Sequence, residues 1–235
     1  MPYKSLYDCI NDLEKNDQLI RIKEEIDPNL EMASIHLEEF KKCGKAILFE
    51  NVKGSRFCAV SNLFGTIDRS HFIFRNSLDK VKKIIEIKTD PIKAIKNPFY
   101  ALKTAFYVLN AFPKKVIFPK SFQEILIEDL PQIKCWKDDG GTFITLPQVY
   151  SEDIDSPGIK NSNLGMYRIQ MSGNDYIQNK EVGMHYQIHR GIGIHQKKAN
   201  QKGEPLKVSI FVGGPPSHTF SAVMPLPEGM SELGF

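Results

Sequence analysis

The chain has 235 residues, of which 41% are hydrophobic and 25% are charged, and these values are typical of a globular protein rather than a disordered or fibrous one. Its 31 basic and 28 acidic residues leave a net charge of +3, which is too balanced for nucleic acid or an anionic membrane to be the main partner. The most apolar stretch, residues 101–112, contains a lysine and is shorter than the ~20 residues of a membrane-spanning helix, so a buried helix is expected there.

The four cysteines are widely spaced, and none forms the two-residue interval of a zinc or redox motif. They are interpreted as reduced structural thiols. The N-terminus lacks a charged leader followed by a continuous apolar run, so no secretory signal is predicted and a cytoplasmic location is expected.

The first half alternates helix and strand patterns. Residues 5–20 carry apolar side chains at helical spacing behind Ser5 as N-cap, and the alternating stretch QLIRIKEEI predicts a strand after the helix. A second amphipathic helix should end at Gly44, before a strand at 46–50. The lysine-rich stretch 71–99 is typical of a helical surface with breaks at its prolines.

From residue 122 onward, short β-branched or aromatic runs alternate with turn sequences such as DDGG, SPG and SGND. Strands are predicted in GMYRIQM, GEPLKVSIFVGG and FSAVMPL, and residues 180–203 predict one strand and a helix ending at Gly203. The expected fold class is therefore α/β (α+β), with an N-terminal α/β domain at 1–115 and a split β-barrel-like domain at 116–235.

One segment gathers the side chains best suited to chemistry. Gly165 suggests a turn, after which Met166 to Gln170 should form a strand with Met166 and Arg168 on one face. An arginine fixed beside a turn can bind phosphate or a carboxylate through two hydrogen bonds, although an exposed surface arginine gives the same pattern.

His185 and His189 are four residues apart, so either a helix or a strand would place them on one side. Imidazole, the Asn163 amide and a carboxylate such as Glu232 form a donor set that suits manganese or a similar divalent ion. Two histidines packed in the core are the other interpretation. Arg190 followed by glycines adds a cation beside backbone that can approach an anion closely.

The stretch FVGGPPSHTF is either a ligand-lining loop or a rigid turn. Its glycine pair lacks the third glycine of a dinucleotide fingerprint. No G-x-S-x-G elbow, P-loop or H-E-x-x-H motif occurs, so the motifs that define serine hydrolases, P-loop NTPases and zincins are missing.

The chain resembles the UbiD family of decarboxylases, which act with prenylated FMN. The resemblance starts at YKSLYDCINDLEKNDQLIRIKEEIDPNLEMA and continues through AILFENVKGSRFCAVSNLFGT and DDGGTFITLPQV. It is strongest in NLGMYRIQ, HYQIHRGIG and PLPEGMSELGF, and it covers essentially the whole chain.

The resemblance implies a flavin phosphate bound through a divalent metal, usually Mn²⁺, often with a K⁺ ion nearby. Asn163 and Glu232 match the family's metal ligands, and a histidine ligand of some members falls on His189 or the adjacent Arg190. Arg168 matches the arginine beside the substrate carboxylate. The residues that match the cofactor-contacting segments are Met166, Tyr167, Arg168, His185, Tyr186, Gln187, Arg190 and Gly191.

The implied reaction is the reversible, non-oxidative decarboxylation of an aromatic or α,β-unsaturated acid, in which the modified flavin is the electron sink and a carboxylic acid of raised pKa supplies a proton. Family members continue well beyond MSELGF, and their proton-donating acids lie there. We therefore expect a truncated chain that lacks the C-terminal domain and is inactive alone; a split gene or a degenerate remnant would also fit.

The blocks look most similar to members associated with ubiquinone or menaquinone biosynthesis, so the leading substrate is a 3-polyprenyl-4-hydroxybenzoate or a related precursor, with simple phenolic acids next. A flavin prenyltransferase would supply the cofactor, and the family suggests homo-oligomers. Peripheral membrane contact is left open. The rival functions are a non-catalytic flavin-binding or assembly subunit and an ordinary FMN oxidoreductase.

Overall fold

The computed structural model of the chain describes residues 3–79, 81–82, 123–224, 226 and 231–234. The apolar stretch 101–112, the prolines at 91 and 98, and the expected domain boundary near 115 lie outside the described residues. In the part that is described, no helix is both long and apolar enough to cross a membrane. The four cysteines are free thiols, of which Cys9 is buried.

The N-terminal part consists of helices on a three-stranded sheet of order β1-β2-β3. Strands β1 and β2 pair in parallel, whereas β2 and β3 pair antiparallel. Helix α1 begins as its sequence predicts, because the Ser5 side chain accepts a hydrogen bond of 3.1 Å from the Asp8 N–H. The elements are α1 (Leu6–Lys15), β1 (Leu19–Ile26), α2 (Glu31–Lys41), β2 (Ala46–Val52), β3 (Ala59–Ser61) and α3 (Ile67–Phe74).

The second part contains two antiparallel three-stranded sheets, of order β4-β7-β8 and β6-β5-β9. A small core of Val149, Tyr167, Ile169 and Ile192 joins both sheets to helix α4. The elements are β4 (Phe143–Ile144), β5 (Gln148–Glu152), β6 (Ser162–Met166), β7 (Arg168–Gln170), β8 (Gly183–His185), α4 (Gly191–Lys202), β9 (Val208–Phe211) and α5 (Pro216–Val223).

The α+β class is confirmed, and within the described ranges the two sheets do not close into a barrel. The helix predicted before Gly203 is also confirmed. Gly203 adopts φ +68° at its C-cap, a left-handed conformation that favours glycine.

Two expectations in the second half were wrong. Residues 166–170 are not one strand, because the chain leaves β6 at Met166 and enters the other sheet at Arg168, with Tyr167 at the break. The FSAVMPL strand is largely helix α5, which begins at Pro216. Proline suits the first helical turn because its fixed φ is already helical and its missing N–H has no partner there.

Candidate functional site

A cavity of about 1070 Å³ opens between strand β6, the segment from β8 to α4, and the C-terminal end of the chain. Its size is at the upper end of the roughly 300–1,000 Å³ of typical small-molecule sites. All site residues predicted from the sequence line this cavity except Arg168. These lining residues are Asn163, Met166, Tyr167, His185, Tyr186, Gln187, His189, Arg190, Gly191 and Glu232.

Two hydrogen bonds, one involving Glu232 and one involving the adjacent Ser231, attach this C-terminal segment to strand β6. The Leu164 N–H donates to Glu232 Oε2 over 2.8 Å, and the hydroxyls of Ser162 and Ser231 are 2.8 Å apart. Burial raises the pKa of Glu232 above its usual range, although the Leu164 N–H opposes this effect.

Asn163 is 8% exposed and lies on β6 beside Leu164. An amide oxygen and a partly buried carboxylate are hard oxygen donors, which fit a divalent cation such as Mn²⁺. In the described parts of the chain, no group of three His, Cys, Asp or Glu side chains could hold a metal ion. The donor set that the sequence suggested therefore depends on the Asn163 amide.

Tyr167 is buried at the inner wall of the cavity. Asn163 Nδ2 donates a hydrogen bond of 3.3 Å to its phenol oxygen. Burial raises the pKa of the Tyr167 phenol, against the lowering effect of its hydrogen bonds from Asn163 and the Ile192 backbone. The ring meets Tyr186 edge-on, with centroids 6.5 Å apart, so the two aromatic side chains form one apolar wall.

The segment from His185 to Arg190 contributes polar groups to the other wall. His185 is the last residue of β8 and lies 3.2 Å from Gln170 Oε1, whereas His189 lies in the loop before α4. The spacing of His185 and His189 predicted that one helix or strand would carry both. They lie on different segments, but both line the cavity. Arg190 is exposed at the N-terminus of α4. A cation next to a helix N-terminus favours anion binding.

Arg168 points elsewhere. Its guanidinium lies 3.6 Å from the ring centroid of Phe143 and 2.7 Å from Asp139 Oδ2. Because Tyr167 interrupts the strand, the alternation that would place Arg168 beside Met166 does not hold. The contact between Arg168 and a substrate carboxylate stays a prediction.

Three polar side chains that the sequence did not single out also line the cavity: Asp153, His195 and Lys198. His195 is 8% exposed, and its Nδ1 lies 2.9 Å from the Ser151 hydroxyl. Burial lowers the pKa of His195, while nearby Asp153 acts in the opposite direction. A signal was available, because His195 follows Gly191 by four residues and so shares its face of the helix.

The glycine–proline stretch near residue 214 is not among the cavity-lining segments. Its hydroxyl and imidazole groups belong to helix α5, where the Thr219 hydroxyl accepts a hydrogen bond of 3.3 Å from Gln148 Nε2. Because residues 216–220 begin helix α5, neither the rigid turn nor the ligand-lining loop describes the whole stretch.

The chain matches two family models that together span most of its length. Residues 10–88 match the 3-octaprenyl-4-hydroxybenzoate carboxy-lyase N-terminal domain, and residues 112–235 match the Rift-related domain of the same carboxy-lyase. The chain therefore belongs to the UbiD family of carboxy-lyases.

Curated relatives agree with this membership. The chain is 37% identical to a Chlamydia pneumoniae protein named as a 4-hydroxybenzoate decarboxylase subunit, over 93% of its own length, and 36% identical to an uncharacterized Aquifex aeolicus protein over 99%. It spans 37% and 48% of those relatives, respectively.

Solved structures show the same fold. The vanillic acid decarboxylase of Sedimentibacter hydroxybenzoicus in its closed form has a TM-score of 0.75 and 25% identity, and the match covers 100% of this chain and 48% of that one. The UbiD-class enzyme HmfF of Pelotomaculum thermopropionicum, solved with FMN, has a TM-score of 0.74 and 22% identity, covering 98% of this chain and 47% of that one.

Proposed function

We propose that this chain provides the cofactor- and metal-binding part of a decarboxylase that acts on an aromatic carboxylic acid with prenylated FMN. The observation that supports this most is the cavity, because it brings Asn163 and Glu232 together with Tyr167 and the segment 185–191. The three segments that carry these residues, 163–167, 185–191 and Glu232, are separated along the chain, and all three line the same cavity.

In this proposal Asn163 and Glu232 hold Mn²⁺, with His189 as a further donor. The Glu232 carboxylate fits this role, because burial disfavours its charged form and a bound cation would offset that cost. Arg190 and the first turn of α4 would bind the flavin phosphate. A K⁺ ion near the same groups is part of the proposal by family resemblance.

The apolar wall of Tyr167 and Tyr186, with Met166 beside it, would contact the flavin ring system. Bound prenylated FMN would supply the electron sink that decarboxylation requires. Arg168 would bind the substrate carboxylate once its ion pair with Asp139 is broken. Both the Asp139 carboxylate and the substrate carboxylate can form charge-assisted hydrogen bonds with its guanidinium. The proton donor is assigned to the part of the relatives' length that this chain does not span.

The leading substrate is a 3-polyprenyl-4-hydroxybenzoate or a related quinone precursor. A smaller phenolic acid is the second candidate, and the name of the Chlamydia pneumoniae relative and the substrate of the Sedimentibacter enzyme favour it. The proposal also includes a flavin prenyltransferase as cofactor supplier and a homo-oligomeric assembly.

The test is to produce the full protein with a flavin prenyltransferase and Mn²⁺, and to assay CO₂ release from both classes of acid. Release from either class, lost in Asn163→Ala, supports the proposal and selects the substrate. A protein that retains the cofactor but releases no CO₂ from any acid would instead indicate a non-catalytic flavin-binding subunit. Reduction supported by plain FMN would indicate an oxidoreductase.

A further inference from the structure

Tyr167 lies where the chain passes from strand β6 to strand β7, and thus from one sheet to the other. Its ring folds back over Gly165 so closely that a Cβ built on Gly165 would lie 2.4 Å from the phenol oxygen. This approach is possible only for glycine, and it fixes the phenol oxygen beside the Asn163 side chain.

The phenol oxygen of Tyr167 accepts a hydrogen bond from Asn163 Nδ2 over 3.3 Å. The backbone N–H of Ile192, in the first turn of α4, acts on the same phenol and lowers its pKa. Arg190 precedes this helix and forms no side-chain cap. The phenol therefore lies beside the N-terminus of α4 as well as beside Asn163.

An asparagine amide has a donor end and an acceptor end, and only the oxygen binds a metal cation. Because Asn163 Nδ2 faces the phenol, Oδ1 faces the opposite side. There a Cβ built on Gly191 would lie 2.1 Å from Oδ1. The amide is thus held between Tyr167 at its nitrogen and Gly191 at its oxygen.

We propose that Tyr167 is a positioning residue of the metal site, whose phenol oxygen orients the Asn163 amide so that Oδ1 is presented to a divalent cation shared with Glu232. This inference rests on the proposed function, because it takes Asn163 and Glu232 as the ligands. Partners that orient a metal ligand typically change metal affinity by roughly 10–100-fold.

The test is a Mn²⁺ titration of the FMN-loaded full protein, followed by the electron paramagnetic resonance signal of free Mn²⁺. Tyr167→Phe keeps the ring and removes the acceptor, so the Kd for Mn²⁺ should rise about tenfold. Tyr176→Phe is the matched control, because Tyr176 accepts a 3.4 Å hydrogen bond from the Asn174 amide but does not line the cavity. Its Kd should equal that of the wild type.

A double-mutant cycle with Asn163→Ala distinguishes positioning from a general structural effect. Tyr167→Phe should weaken Mn²⁺ binding in the wild-type background and have no further effect when Asn163 is alanine. Wild-type affinity in Tyr167→Phe, or the same loss in both backgrounds, would overturn the inference. Unchanged affinity in Asn163→Ala alone would instead refute the proposed metal site, and the inference with it.

If Tyr167→Phe does not fold, Gly191→Ala provides the second variant. Its new Cβ would displace the Asn163 oxygen while leaving the phenol in place, so Mn²⁺ affinity should again fall. Wild-type affinity in Gly191→Ala would show that the amide is not fixed between the two residues, which contradicts the inference.

Discussion

Arg168 is the residue whose position departs most from its expected role. It pairs with Asp139, a side chain that is only 9% exposed, and stacks on Phe143. A substrate carboxylate would have to compete with Asp139 for the same guanidinium. Asp139 is therefore expected to limit how readily Arg168 becomes available.

Asp139→Asn tests the strength of this ion pair. Pairing with Arg168 lowers the pKa of Asp139 below the ordinary value of 3.8, so the pair stabilises the fold above that pH and loses this contribution as the pH falls through the lower folded-state pKa. Near neutral pH the variant should lose roughly 0.2–1 kcal/mol in free energy of unfolding, because Arg168 is about a third exposed and solvent weakens the pair. Urea unfolding at several pH values measures the difference, which should shrink under acid.

Asp138→Asn is the matched control, because Asp138 is the neighbouring carboxylate and is exposed. It should unfold like the wild type at every pH. A deficit in Asp139→Asn that stays constant from neutral pH to well below pH 3.8 would show that the Arg168 pair is not its cause.

Gly165→Ala tests the close contact that fixes the Tyr167 phenol. The added methyl group would lie 2.4 Å from the phenol oxygen, so the ring must move and unfolding should become easier by roughly 1–3 kcal/mol. Gly140→Ala is the control, because its new Cβ meets nothing closer than 3.4 Å. Equal unfolding free energies for the two variants would contradict the contact.

Helix α4 is attached to strand β5 by a buried hydrogen bond between His195 and Ser151. Ser151→Ala leaves the imidazole Nδ1 without this partner and should cost roughly 1–3 kcal/mol in free energy of unfolding. The exposed Ser209 on β9 provides the control variant Ser209→Ala. Chemical denaturation of both variants checks the prediction, and an equally small effect in the two would contradict it.

The same hydrogen bond has a pH dependence. Burial lowers the pKa of His195 below 6.5, so its neutral form stabilises the fold above that value, and this contribution is lost as the pH falls through the folded-state pKa. His195→Gln should therefore lose less stability than the wild type when the pH falls below 6.5. Parallel acid titrations of thermal unfolding measure this difference, and identical profiles would count against it.

Elements with strong local signals were predictable. Ser5 caps α1 and Gly203 ends α4, because capping depends on a few adjacent backbone groups. The strand predicted for the apolar run 220–226 is wrong, since a short apolar run suits a strand or a helix equally. Here the helix that begins at Pro216 continues into the run. The sequence does not predict the interruption between β6 and β7 at Tyr167, because it depends on which sheet each of these strands joins.

Most residues of the candidate site are predicted by the family resemblance rather than by their spacing in the sequence. Asn163 and Glu232 are far apart in sequence, and only the fold shows the contact between Leu164 and Glu232 that joins them. The position of Arg168 could not be derived, because it depends on a strand break and on Asp139 from a distant loop. The spacing of His195 from Gly191 gives its helix face, but only the fold shows that this face is buried beside the cavity.

The two parts of the chain also meet through aromatic side chains. Phe74 of α3 and Phe220 of α5 have ring centroids 4.9 Å apart. Helix α5 is therefore packed against helix α3. The domain division near residue 115 stays a prediction, although the two family models cover 10–88 and 112–235 separately.

We propose that this chain holds prenylated FMN through a metal bound by Asn163 and Glu232. Native mass spectrometry of the full protein, produced with a flavin prenyltransferase and Mn²⁺, tests this proposal. We expect one prenylated FMN and one Mn²⁺ for each wild-type chain, with both lost from a folded Asn163→Ala, Glu232→Gln double variant. A double variant that retains both ligands, or a folded wild-type protein that binds neither, would contradict it.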